Sequence, residues 1–161
     1  PRGDGKVLDW KDYLERFAKL VGDFNYVFPV YENAILWAKK RVPVFLFVEE
    51  YYHEALMKEY PVKGAFHANE LPYLFGASFG PKFEFNEDDK KFQKNILDGF
   101  ITFAKTGNPK ADGQEWKPVT RDLPRRYMSL APNSQMKNGF MGDSVNFWVE
   151  KLRDKKVHDE L

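Results

Sequence analysis

The run Val42-Pro43-Val44-Phe45-Leu46-Phe47-Val48 decides the fold class. It is almost continuously β-branched and aromatic, bounded by the basic cluster Lys39-Lys40-Arg41 on one side and by Glu49 and Glu50 on the other. A half-buried strand alternates apolar and polar side chains, whereas an unbroken apolar run reads as a strand covered on both faces. Helices are then needed above and below the sheet, which is the layered arrangement of an α/β protein.

Outward from this strand, helical patterns appear on both sides. Trp10, Tyr13, Leu14, Phe17, Leu20 and Val21 recur at helical spacing and predict an amphipathic helix over 9–21 that Gly22 closes. Pro29 opens a second helical segment through Ala34, Ile35, Trp37 and Ala38, ending at the basic cluster. Downstream, Asn86 to Asp89 offer a cap and acidic first turn for a long helix through Phe92, Ile96, Leu97, Phe100, Ile101 and Phe103, which Gly107-Asn108-Pro109 stops. Tyr127–Leu130 and a segment near Lys137 to Met141 predict a terminal hairpin. Val145, Phe147, Trp148 and Leu152 predict a last amphipathic helix.

Composition narrows the function classes. A net charge of +1, with no long basic block, gives no footprint for a nucleic-acid or acidic-lipid partner. Lys39, Lys40 and Arg41 suit a solvated helix end, where the helix dipole favours cations. No apolar run approaches the roughly 20 residues that a membrane-crossing helix needs. No Gly-x-Gly-x-x-Gly or P-loop pattern occurs, so no nucleotide cofactor is expected.

Metal chemistry is not expected either. His53-Glu54-Ala55-Leu56-Met57 begins like His-Glu-x-x-His, but Met57 stands where the second ligand belongs, and the chain holds three histidines and no cysteine. His53 reads as a surface residue after the strand.

One histidine sits where chemistry is plausible. In Gly64-Ala65-Phe66-His67-Ala68-Asn69-Glu70-Leu71-Pro72-Tyr73-Leu74-Phe75-Gly76, His67 lies in a short loop between apolar segments, and imidazole takes and returns protons near neutral pH. This segment resembles the catalytic-histidine loop of type-B carboxylesterases and cholinesterases, with its Gly-x-x-His-x-x-Glu-Leu/Ile pattern before an aromatic Phe-Gly end. Asn69 stands where many members of that family carry aspartate. Two further blocks resemble the same family in the same order. Gly22-Asp23-Phe24-Asn25-Tyr26-Val27-Phe28-Pro29 is similar to its Asp-x-x-x-x-x-Pro segment. Phe103-Ala104-Lys105-Thr106-Gly107-Asn108-Pro109 followed by Trp116-Lys117-Pro118 is similar to its Phe-Ala-x-x-Gly-x-Pro and Trp-Pro elements, with Lys117 inserted.

The resemblance implies the C-terminal portion of an α/β-hydrolase fold: a central strand, a catalytic-histidine loop, a long helix, a terminal hairpin and a last helix. It also implies hydrolysis of small-molecule carboxylic esters through a Ser-His-Glu triad, with His67 moving the proton. Serine is a weak nucleophile until a positioned imidazole removes its proton, and the same imidazole then protonates the leaving alcohol. Hydrolases of this fold present nucleophile, acid and histidine in that chain order. Gly76-Ala77-Ser78-Phe79-Gly80 matches the nucleophile-elbow pattern, but Ser78 follows His67 and runs into Pro81, so it reads as a loop. Glu70, three residues from His67, reads as a carboxylate that anchors the loop by hydrogen bonds, not as the triad acid.

The chain starts Pro1-Arg2-Gly3-Asp4-Gly5, a polar stretch that reads as the middle of a longer protein, with residues 1–157 as an incomplete hydrolase domain. At the other end, His158-Asp159-Glu160-Leu161 is the retrieval address read by a receptor of the endoplasmic reticulum, so a luminal location is expected. A non-catalytic cholinesterase-like binding or adhesion protein is the alternative reading, and an independent small scaffold domain a third.

Overall fold

A computed structural model describes residues 8–76 and 83–156, with side chains described up to residue 151. Helix α1 (Trp10–Gly22) starts at Asp9, whose carboxylate accepts the Lys11 and Asp12 amides while Asp12 returns the favour to the Asp9 amide. This reciprocal box satisfies backbone donors that have no helical partner. The helix does not end at Gly22. It widens into a π-helical turn (Asp23–Val27) and continues as α2 (Phe28–Lys39).

Pro29 explains the widening. A proline inside an α-helix lacks an amide hydrogen and its ring crowds the carbonyl one turn back, and an inserted π turn is a common way round such a clash. Here the Phe28 amide reaches five residues back to the Asp23 carbonyl. Gly22 keeps ordinary helical angles (φ −62°), so nothing at that position stops the chain. Lys19 pairs with Asp23 at 2.9 Å across the junction and also reaches the Ser144 hydroxyl.

The sheet is three-stranded. Strand β1 (Phe47–Glu49) runs parallel to β4 (Tyr127–Leu130), which pairs antiparallel with β5 (Gln135–Lys137), giving the order β1-β4-β5. The regular strand is shorter than the apolar run that predicts it, yet residues 44–46 still serve the sheet. The Val44 carbonyl accepts the Val119 amide at 2.8 Å, and the Leu46 carbonyl accepts both the Met128 amide and the Trp116 indole at 2.9 Å. Nor is the strand covered on both faces: Leu46 is buried, whereas Phe47 is exposed at the mouth of an apolar groove with Phe100, Phe103 and Trp37. Among the described residues β1 forms one edge of its sheet.

The hairpin turns earlier than expected. Strand β5 ends at Lys137 because Gly139 (φ 87°) and Met141 (φ 41°) turn the chain, and the Phe140 amide leaves the ladder for the Arg125 carbonyl. Helix α6 (Gly142–Lys156) follows, with Val145 fully buried. Between β1 and β4 lie α3 (Glu54–Met57), α4 (Leu71–Phe75), the long α5 (Glu87–Thr106) and a small ribbon of β2 (Lys110–Ala111) and β3 (Gln114–Glu115). Asn86 caps α5 in a box with Asp89, and Gly107 closes it in the left-handed region (φ 73°), as the sequence predicts.

Two apolar clusters hold these elements. Tyr73, Phe92, Ile96, Trp116, Met128 and Leu130 join α4, α5 and β4. Tyr31, Ala34, Leu46, Val119, Phe140 and Val145 join α2, α6 and the approach to β1. Among the described residues no helix is long and apolar enough to cross a membrane.

Candidate active site

The site starts at the carboxyl end of β1. Glu49 closes the strand, the chain passes Tyr51 and His53 into α3, and the segment 58–70 returns to the strand end before α4. Residues 67–70 form a tight turn in which the Asn69 amide donates to the Phe66 carbonyl at 3.0 Å and the Leu71 amide to the Ala68 carbonyl at 3.3 Å. Ala68 adopts φ 69°, a left-handed conformation that costs an L-residue about 1–2 kcal/mol.

Asn69 anchors this turn. It is fully buried, and its Nδ2 donates to Glu49 Oε2 at 2.8 Å and to the Tyr51 carbonyl at 3.0 Å. The turn is thereby stitched to the end of β1 and to the residue two places beyond it. Burial pushes the Glu49 carboxyl above its ordinary value, the Asn69 bond opposes the shift, and the nearby Glu70 charge adds to it. Asn69 Oδ1 is buried with no hydrogen-bond partner among the described residues.

His67 itself is exposed. Its ring stacks on Tyr26, with centroids 5.1 Å apart and planes 24° from parallel. Tyr26 comes from the π-helical turn, so the bulge that accommodates Pro29 also carries the ring against which the imidazole lies. The sequence block containing Tyr26 is recognisable, but its contact with His67 is not, because periodicity says nothing about which ring meets which across a loop.

Among the described residues Glu70 anchors the loop through its backbone: its carbonyl accepts the Tyr73 and Leu74 amides at 3.0 and 2.9 Å, while its side chain makes no capping bond. His53 is not a surface residue. Its Nδ1 accepts the Ala55 amide at 3.0 Å and caps α3, its ring stacks on Phe83 at 4.3 Å, and its Nε2 lies 3.4 Å from the buried Asp89 carboxylate. Ser78 and His158, Asp159, Glu160 and Leu161 lie outside the described residues.

Residues 4–148 match the carboxylesterase family, and the chain belongs to that family. It is 27% identical to Gut esterase 1 of Caenorhabditis briggsae over 91% of its own length and 27% of that protein's. It is 29% identical to the acylcarnitine hydrolase of Rattus norvegicus over 94% of its length and 27% of that protein's. Acetylcholinesterase of Leptinotarsa decemlineata is 28% identical, with 88% of this chain and 23% of that protein covered. The chain thus spans about a quarter of the length of these curated relatives. A solved PNB esterase superposes with a TM-score of 0.53 and 28% identity over 65% of this chain and 21% of that one. The architecture is therefore part of an α/β-hydrolase.

Proposed function

We propose that the protein carrying this chain is a serine carboxylesterase and that His67 is its general base and acid. The observation that carries this reading is the exposed imidazole of His67, carried on a turn that Asn69 ties to the carboxyl end of β1. In α/β sheets, ligands bind outside the carboxyl ends of the strands. The family's reaction needs a histidine there, after nucleophile and acid in chain order.

In this mechanism an upstream serine hydroxyl attacks the ester carbonyl as one nitrogen of His67 takes its proton. The resulting imidazolium delivers that proton to the departing alkoxide, leaving an acyl-enzyme. Water then repeats the transfers and releases the acid. A carboxylate on the other imidazole nitrogen stabilises the charged ring. The serine, that carboxylate and the oxyanion-hole amides belong to the part of the relatives that this chain does not span, so residues 1–161 alone are inactive in this proposal. Stacking on Tyr26 restrains the imidazole plane, and orientation is itself a large share of the rate. The substrates are small carboxylic esters, and the working compartment is the lumen of the endoplasmic reticulum, reached through a receptor that reads His158–Leu161.

Fluorophosphonate labelling of the full-length protein tests the reading. The parent is expected to label and to hydrolyse an aryl ester, and His67→Gln to lose both. A parent that does neither contradicts it.

A further inference from the structure

The residue that fixes the His67 loop at both ends is on another element altogether. Asp89 lies in the first turn of α5 and is completely buried. Its Oδ1 accepts the hydroxyls of Tyr51 at 2.8 Å and Tyr73 at 3.0 Å. Its Oδ2 accepts the Asn86 amide at 2.8 Å and faces His53 Nε2 at 3.4 Å. Because His53 Nδ1 accepts the Ala55 amide, the neutral ring carries its proton on Nε2, toward the carboxylate. A buried carboxylate is tolerable only when its lone pairs are taken up in this way.

The donors come from opposite ends of the histidine segment. Tyr51 and His53 precede α3, where the segment starts; Tyr73 sits in α4, where it finishes. Tyr51 has a second task, since its carbonyl receives Asn69. The path from Asp89 to the turn bearing His67 is therefore two hydrogen bonds long. One α5 turn later, Gln93 Nε2 donates to the Tyr73 carbonyl at 2.8 Å, tying α4 to α5 a second time. Both tyrosines have their hydroxyl pKa values raised, first by burial and then through the Asp89 charge, so they remain donors.

We infer that Asp89 is a positioning residue: through Tyr51 and Tyr73 it clamps both ends of segment 58–70 and holds His67 in register with the strand end. This inference rests on the esterase reading for its consequence, but the clamp itself is independent of activity.

The test uses the full-length protein with Asp89→Asn and, separately, the double variant Tyr51→Phe/Tyr73→Phe. An asparagine keeps the shape but turns an NH2 group toward one pair of donors; the double variant leaves Asp89 in place and is the milder change should Asp89→Asn fail to fold. Two readouts are taken: kcat and KM on an aryl ester, and amide hydrogen exchange of residues 64–70 against α6. The expected result is exchange in 64–70 quickened about tenfold with α6 unchanged, and kcat lowered about 10- to 100-fold, the scale of a misplaced catalytic group, with KM nearly constant. Unchanged loop exchange in the folded variants overturns the clamp, whatever happens to kcat. A parent inert toward esters whose loop exchange still responds keeps the clamp and sinks the esterase reading instead.

Discussion

Asn69 Nδ2 lies 2.8 Å from Glu49 Oε2, joining the turn that carries His67 to the last residue of β1. The carboxyl group involved has its pKa raised, chiefly by burial, with Glu70 adding to the shift. An acid whose folded pKa lies above its unfolded one contributes stability that is fully present below the unfolded value of about 4.5. That contribution is lost as pH rises through the folded value, so at neutral pH the ionised Glu49 is a cost. Glu49→Gln keeps an acceptor for Asn69 without the charge. It should raise the melting temperature at pH 7 by about 2 °C or more, and the gain should vanish at pH 4. Equal gains at both pH values would show that the charge is not the cause.

Ala68 holds φ 69° in the turn next to His67. Glycine reaches this region at no steric cost but loses more chain entropy on folding. Strain relief of about 1–2 kcal/mol against an entropic loss of about 0.4–1 kcal/mol leaves Ala68→Gly stabilising by about 0.5 kcal/mol. Chemical denaturation of the two forms measures it; a loss of stability would mean that the turn differs from this description.

Gly99, inside α5, faces a tryptophan. A Cβ built there meets Trp116 Cζ3 at 2.9 Å and Cε3 at 3.4 Å, and Trp116 cannot easily give way because its indole donates to the Leu46 carbonyl. Alanine gains about 1 kcal/mol of helix propensity, but overpacking costs about 1–3 kcal/mol. Gly99→Ala should therefore destabilise by about 1 kcal/mol and alter the Trp116 emission. Stabilisation would show that propensity outweighs the contact.

Much of this was legible in advance. The caps of α5 and its glycine stop follow from local chemistry, since Asn86, Asp89 and Gly107 each satisfy backbone groups within a few residues. The α/β class rests on the family resemblance of the blocks at 22–29, 64–76 and 103–118, whereas the apolar run at 42–48 overstates both the length of β1 and its cover. What was not legible depends on distant partners. Gly22 looks like a stop until Pro29, seven residues on, is absorbed by a π turn. The stripe of α1 reads as a buried face, yet none of its residues is buried in this chain, because periodicity identifies a face and not what covers it. Likewise the stack of Tyr26 on His67 and the convergence of Tyr51, His53 and Tyr73 on Asp89 join residues far apart in sequence.

Removal of His158–Leu161 addresses the compartment. With the tetrapeptide the full-length protein should remain in the cell and co-fractionate with luminal markers; without it, the protein should appear in the medium. Identical distributions would remove the luminal assignment while leaving the chemistry untouched.

The most direct measurement is kcat/KM of the full-length protein and its His67→Gln variant on one aryl ester, with the folded fraction of each fixed by circular dichroism. If His67 moves the proton in both half-reactions, the variant should fall by about 10³-fold or more, since a positioned general acid-base group alone supplies about 10²- to 10⁴-fold. A folded variant that hydrolyses the ester at the parent's rate would contradict the account.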